Sequence, residues 1–225
     1  MQHNTIILAG GSGLRMGADR PKQFLLLDGK PIVFKTIETF SKLSFPVSIY
    51  VVLPPEIEVL WSELVSTYGL PHPCHLLTGG LTRFHSVRNA LALLPPEGLT
   101  AVHDGVRPLV DINLIERCFS LAQEHPAVIP VRVVAESLRQ ITENGSRPVD
   151  REAYRMVQTP QVFDTTMLKQ AYKQGYHTDF TDDATVVEKA GCPLFFTEGS
   201  PYNIKITTPE DLRLASSLLR GNAVS

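Results

Sequence analysis

The sequence predicts an α/β fold of three layers, a mainly parallel twisted sheet with helices on both faces. Two observations predict it. Short apolar, β-branched runs alternate with amphipathic helical patterns along 225 residues, the rhythm of a parallel sheet. Loops rich in glycine or carrying an acidic residue follow three of those runs, at 10–22, 78–86 and 104–108. In parallel sheets ligands bind beyond the carboxyl ends of the strands, so these loops are expected to converge on one site. A chain of this length most economically forms a single domain, 1–225, with room for a sizeable core.

Taken in order, "NTIILA" (4–9) is an apolar run ending at glycine, as suits a strand buried on both faces. Pro31 opens a helix through about Leu43, with Ile32, Val33, Thr36, Ile37 and Phe40 on one stripe. "VSIYVVL" (47–53) is a β-branched strand stopped by Pro54-Pro55. A helix at 56–67, a strand at 74–77 and a helix at 83–94 follow, then a strand "LTAVHD" (99–104), a helix at 111–124 and a strand at 127–131. The rhythm breaks between 135 and 154. There Asn144-Gly145, flanked by strand-compatible residues, predicts a protruding β-hairpin arm. A lone hairpin is marginal in water, so the arm is expected to pack on its own domain or on a second subunit. "NIKIT" (203–207) reads as a late strand and "PEDLRLASSLL" as a proline-started amphipathic helix.

Bulk properties narrow the function. The formal charge is −2, from 21 basic and 23 acidic residues, so no global positive field advertises nucleic acid or an anionic membrane. Cys74, Cys118 and Cys192 are odd in number and widely spaced, which favours thiols in a reducing compartment over a disulfide framework. A first strand at about Asn4 leaves no room for a secretory leader, and no stretch approaches the roughly 20 apolar residues of a membrane span. A cytoplasmic protein is expected. "HPCH" (72–75) lacks a second ligand pair and reads as loop.

The first loop, "ILAGGSGLRMGADRPKQ" (7–23), carries the chemistry. It is not a P-loop, because no glycine precedes Lys and Ser or Thr in the required register. Nor is it a dinucleotide fingerprint, because Met16 stands where the third glycine belongs. What remains is Gly10-Gly11-Ser12-Gly13, whose N–H groups can form an anion nest, with Arg15 and Lys22 supplying charge. In "HDGVRP" (103–108), Asp104 ends an apolar strand and Gly105 leaves space beside it. A single carboxylate next to nucleotide phosphates is how Mg²⁺ is usually held. His103 points to the opposite side of its strand and reads as structural. Thr181 or Asp182 of "TDDA" is a good helix N-cap.

"LAGGSGLRMG…RPKQF", "GG…R…SV" (79–87), "HDGVRP", "VQTPQVF" (157–163), "TDDA" (181–184) and "NIKITTPEDL" (203–212) are collinear over nearly the whole chain. Together they resemble the nucleotidyltransferase superfamily of sugar-phosphate pyrophosphorylases, and within it the 2-C-methyl-D-erythritol 4-phosphate cytidylyltransferases. The resemblance implies a Rossmann-like nucleotidyltransferase fold and transfer of CMP from CTP to a polyol phosphate, with Mg²⁺ as cofactor. It places the nucleotide against Ala9, Gly10, Gly11, Gly13, Arg15, Lys22, Gly80, Ser86, Asp104 and Gly105, with Asp104 as the metal ligand. It places the polyol phosphate against Arg107, Ser137, Arg151, Thr159, Thr181 and Lys205. Arg15, Lys22, Arg151 and Lys205 are then the catalytic cations. An arm that embraces a partner would bring Arg151 to the neighbour's site, which implies a homodimer.

Two departures stand out. Leu81 occupies a place that is acidic in some relatives, and Glu136-Ser137 replaces an Asp-Thr at the start of the arm. A ribitol-5-phosphate cytidylyltransferase shares the same motifs, and a non-catalytic nucleotide-binding protein shares the same scaffold. Both alternatives stay open on sequence alone.

Overall fold

The computed structural model of the chain describes residues 1–11 and 20–221. In chain order the strands and helices are β1 (His3–Leu8), β2 (Leu26–Leu27), β3 (Lys30–Pro31), α1 (Ile32–Phe40), β4 (Ser48–Leu53), α2 (Glu58–Tyr68), β5 (His75–Thr78), α3 (Arg83–Leu93), β6 (Leu99–Asp104), α4 (Ile112–Leu121), β7 (Ala127–Val133), β8 (Arg139–Thr142), β9 (Gly145–Pro148), β10 (Arg155–Val157), β11 (Gln161–Asp164), α5 (Thr165–Ala171), α6 (Asp183–Lys189), β12 (Phe195–Glu198) and α7 (Pro209–Gly221).

The central sheet runs β10-β7-β11-β6-β1-β4-β5, with β12 added beside β7. β5, β4, β1 and β6 are mutually parallel. β11 lies antiparallel between β6 and β7, and β10 lies antiparallel on β7. The mainly parallel sheet is as expected, and the two antiparallel strands lie at the two ends of the "VQTPQVF" stretch, β10 ending on Val157 and β11 starting at Gln161.

Alternation along each strand builds two cores. Ile7, Ile49, Val51 and Ala101 join one apolar cluster with α1, α2 and α4 residues such as Phe34, Trp61 and Phe119. Their immediate neighbours Ile6, Tyr50, Val52 and Val102 join another with Phe84, Leu168 and Val187, from α3, α5 and α6. Both faces of the strands are thus covered, which explains why they read as continuous apolar runs. A third cluster, Leu27, Ile32, Val106, Ile206 and Ala215, fastens α7 beside the end of β6.

Two local expectations are corrected. "NIKIT" forms no strand. Its alternation is real, since Ile206 is fully buried with Ile204 packed on the same cluster, but Ile206 N donating to Val106 O at 2.9 Å is a single bond, not a ladder. The arm is a hairpin, with its turn one residue early: Thr142 pairs with Gly145, so Glu143 and Asn144 form the loop. Neither takes a positive φ, and the left-handed conformation falls on Gly145 at φ +126°. A type I′ turn does occur where the sequence reading had none, at Asp28-Gly29 (φ +50° and +77°) between β2 and β3.

Candidate active site

The exits of β1, β5 and β6 meet at a cleft of about 290 Å³. The first loop contributes Ala9, Gly10, Gly11, Lys22 and Gln23 to its lining, the second Gly80, Ser86 and Arg83, and β6 contributes Asp104. Lys205 enters from the other side of Asp104. Three loops distant in sequence do converge, as the strand-exit argument required. Gly13 and Arg15 lie outside the described residues.

Each wall is held by a specific device. Gln23 is fully buried and its Nε2 donates to Ala9 O at 2.6 Å, which ties the far end of the first loop back to the exit of β1. Opposite, Thr82 caps α3 and Ser86 sits one turn in. The Ser86 hydroxyl accepts from Gly80 N at 3.0 Å and donates to Thr82 O at 3.0 Å. That pair of bonds folds the 79–82 loop over the helix start. A Cβ on Gly80 would collide with His85, so this loop needs glycine there.

Asp104 is the centre of charge. Its side chain is 12% exposed, and one oxygen, Oδ2, accepts from Arg107 Nε and pairs with Lys205 Nζ, both at 3.1 Å. Burial alone would raise its carboxyl pKa. Lys205, Arg83 and Arg107 outweigh burial and hold it well below the usual carboxylate range, so it is ionised at neutral pH. The other oxygen makes no hydrogen bond among the described residues.

Beneath Asp104 lies a fully buried relay. Asp104 N donates to Thr159 Oγ1 at 3.1 Å, and Thr159 Oγ1 lies 3.1 Å from His103 Nδ1. His103 Nε2 lies 3.2 Å from Arg107 O. A carbonyl only accepts, so Nε2 carries the proton and the Thr159 hydroxyl donates to Nδ1. Burial lowers the His103 pKa to about 4, and the ring is neutral at pH 7. Arg107 Nη1 also donates to Asn203 O at 2.8 Å, while Asn203 Nδ2 donates to Thr159 O at 2.7 Å. Lys205, two residues on, is thereby located against Asp104 without any strand.

The remaining expected site residues stand apart from this cleft lining. Arg107 and Thr159 are spent on the network under Asp104, so they place the carboxylate and the Lys205 segment. Gly105 packs against the exit of β1: its N donates to Leu8 O at 2.9 Å, and a Cβ would sit 3.0 Å from that oxygen. Its need for glycine is therefore satisfied by strand packing. Thr181 is exposed, and Asp182 is the residue that caps α6, accepting from Thr185 N at 2.9 Å. Ser137 is exposed at the base of the arm. Arg151 lies in a short 3₁₀ turn, where its guanidinium bonds Ala135 O and faces Glu152. Neither Ser137 nor Arg151 lines the cleft of its own chain.

Sequence reasoning missed Arg83, which lines the cleft and pairs with buried Asp183. It stood in plain view in "GGLTRFHSV", and its partner lies 100 residues away, where no local pattern links the two.

Residues 4–221 match the family model of 2-C-methyl-D-erythritol 4-phosphate cytidylyltransferase (IspD). Proteins of that name from Bacteroides thetaiotaomicron and Bacteroides fragilis are 51% and 49% identical, each over 97% of this chain and all of theirs. The crystal structure of 2-C-methyl-D-erythritol 4-phosphate cytidylyltransferase from Thermus thermophilus superposes with a TM-score of 0.77 at 33% identity, covering 96% of this chain and 98% of that one. A family match over residues 4–221 and relatives of about half identity over nearly the whole of both chains place this chain in the 2-C-methyl-D-erythritol 4-phosphate cytidylyltransferase family.

Proposed function

We propose that this chain transfers the cytidylyl group of CTP to 2-C-methyl-D-erythritol 4-phosphate, releasing pyrophosphate, as one nucleotidyltransferase domain of isoprenoid synthesis. The observation that carries the reading is the meeting of Lys22, Lys205 and ionised Asp104 with the Gly80–Ser86 loop in one cleft of a chain that matches the family over residues 4–221.

The nucleophile is an oxygen of the acceptor's phosphate. It forms a new P–O bond to the α-phosphorus of CTP as the bond to the β-phosphate oxygen breaks, and the electron pair leaves with pyrophosphate. A phosphomonoester has a second pKa of about 6, so it is already largely ionised at pH 7 and needs no general base. The neutral, enclosed His103 is consistent with that economy. What must be overcome is repulsion between two anions, which falls to positioning and electrostatics.

Lys22 neutralises charge on the triphosphate, and Arg15 is assigned the same task. Lys205, fixed by Asp104 and the Arg107–Asn203 anchor, holds the attacking phosphate. The backbone at Gly80 and the Ser86 hydroxyl suit a pyrimidine edge. Asp104, ionised and at the cleft wall, with one oxygen that makes no hydrogen bond among the described residues, fits a single-carboxylate Mg²⁺ site completed by phosphates and water. Mg²⁺ bound there would supply neutralisation of the nucleotide phosphates. Among the described residues no group of three or more His, Cys, Asp or Glu side chains gathers, so such a site depends on the nucleotide.

Arg151 and Ser137 are assigned to the acceptor phosphate of a neighbouring subunit, with the arm as the dimer contact. Among the described residues no helix is long and apolar enough to cross a membrane, and a cytoplasmic location is part of the reading. The test is pyrophosphate release from CTP and Mg²⁺ with methylerythritol phosphate and ribitol 5-phosphate offered in parallel. Release with methylerythritol phosphate alone is expected; preference for ribitol phosphate would overturn the acceptor assignment.

A further inference from the structure

Among the described residues, one arginine lines the cleft, and the phosphoryl-transfer reading gives it no task. Arg83 is the first residue of α3, its side chain is 27% exposed, and it lines the cleft beside Ser86 and Asp104. Its Nη2 donates to Asp183 Oδ2, and the Asp183 side chain has no exposure. The second Asp183 oxygen accepts the Tyr172 hydroxyl at 2.6 Å. Tyr172 is 2% exposed and stacks on Phe84 with ring centroids 4.8 Å apart. Both carboxylate oxygens are thus committed, one of them to aim Arg83. Among the described residues, Arg83 Nε and Nη1 make no hydrogen bond.

Guanidinium is a planar, permanently charged fork suited to phosphoryl oxygens, so a cleft-lining arginine anchored through one nitrogen is already oriented for recognition. The beginning of α6 is equally fixed. Gln161 Nε2 donates to Asp182 Oδ2 at 2.7 Å, and Ala184 N donates to Gln161 Oε1 at 2.9 Å. Asp183 therefore cannot follow Arg83 if Arg83 swings away. Burial opposes the charge on Arg83; Asp183 and, from across the cleft, Asp104 more than restore it.

We propose that Arg83 binds a phosphoryl oxygen of a substrate in this cleft, and that Asp183, steadied by Tyr172, is the positioning residue that aims it. This rests on the phosphoryl-transfer reading above. The competing account is a structural staple that only joins α3 to α6.

The test uses the purified full chain with Arg83→Gln, Arg83→Lys, Asp183→Asn and the double variant Arg83→Gln/Asp183→Asn. Calorimetry with inorganic pyrophosphate is the readout that needs no turnover. Loss of one charge-assisted contact predicts binding weakened about 10- to 100-fold in Arg83→Gln, with partial recovery in Arg83→Lys. Asp183→Asn should reproduce the Arg83→Gln defect, and the double variant should bind no more weakly than Arg83→Gln alone.

CTP affinity and the KM for the acceptor phosphate at saturating CTP then separate the two sources of the oxygen, and a loss in either supports the proposal. Wild-type binding and kinetics in folded Arg83→Gln, with only a lower melting temperature, would overturn it. Should a single variant fail to fold, the double variant leaves no lone buried charge and carries the same test. Wild-type pyrophosphate binding in it would be equally fatal. A chain that binds pyrophosphate through Arg83 and yet makes no product with methylerythritol phosphate would remove the proposed acceptor and leave the Arg83 role standing.

Discussion

The cleft and the arm are built on opposite principles. On and beneath Asp104 in the cleft, residues brace one another: Lys205 and Arg107 on the Asp104 carboxylate, the Asp104 backbone on Thr159, Thr159 on His103. The arm is a two-stranded sheet of its own, and all residues of β8 and β9 are exposed. Its arginines bond within the arm: Arg139 to Ser146, Arg147 to Gln140, Arg151 to Ala135 O. Among the described residues, Ile141 on the arm is left 78% exposed. A rigid cleft can be preorganised for charge development, whereas an uncovered hairpin gains its order from whatever it meets.

Four perturbations would break or sharpen that contrast. Lys205→Ala should cut kcat for cytidylyl transfer by about 100-fold or more, with CTP affinity moving far less, as measured by steady-state kinetics beside CTP calorimetry. Equal losses in both would mean that Lys205 only binds. Next, Arg151→Ala should lose about tenfold or more in turnover while retaining the melting temperature of the parent.

If its arm serves a neighbour, mixing and re-equilibrating Arg151→Ala chains with Lys22→Ala chains should restore roughly a quarter of parental activity, because a mixed dimer has one intact site. No recovery would confine Arg151 to its own chain. Third, Arg107→Ala strips the anchor from Asp104 and from Asn203 O, at an expected cost of about 2–3 kcal/mol in urea unfolding. Arg147→Ala on the exposed arm should change it by less than about 0.5 kcal/mol.

The smallest effect concerns α7. Asp211 Oδ2 accepts from Thr207 N, Thr207 Oγ1 and Thr208 N, each at 2.8 Å, while Asp211 N donates to Thr208 Oγ1 at 3.2 Å. Partial burial opposes the charge, and those bonds more than offset it, so the Asp211 pKa is lowered below 3.8. A depressed folded-state pKa means stability present above the ordinary value and lost as pH falls through the lowered one. Asp211→Ala should therefore cost about 1 kcal/mol at pH 7, with the gap to the parent closing below pH 3.8.

Legibility in the sequence followed the range of the interaction. β1, β4 and β6 are β-branched, two-sided strands, and their burial is written in the residues themselves. The convergence of Gly10, Gly80 and Asp104 followed from strand exits, a rule of topology. "NIKIT" misled because alternation reports which side is buried and says nothing about a pairing neighbour. Asn144-Gly145 misled by one residue because a glycine's positive φ can be used at the turn's end as readily as at its centre. The Arg83–Asp183 pair was invisible for a different reason: each residue is ordinary in its own segment, and only the packing of α3 against α5 and α6 makes them partners. Asp104 and Arg107, three residues apart in one motif, were readable as a pair and were read separately.

The antiparallel insertion of β11 between β6 and β7 dictates an order of assembly. Residues up to Asp104 contain β5, β4, β1 and β6, a parallel half-sheet that can pair as it is synthesised. β7 follows in sequence yet has no ladder with β6; it joins only through β11, whose residues are made after the entire hairpin. Until Asp164 has emerged, the β6 edge and the floor beneath Asp104 lack their covering strand. A growing chain thus holds its nucleotide loops before it can hold Thr159 against Asp104, and the hairpin must be looped out before the sheet can close around its base.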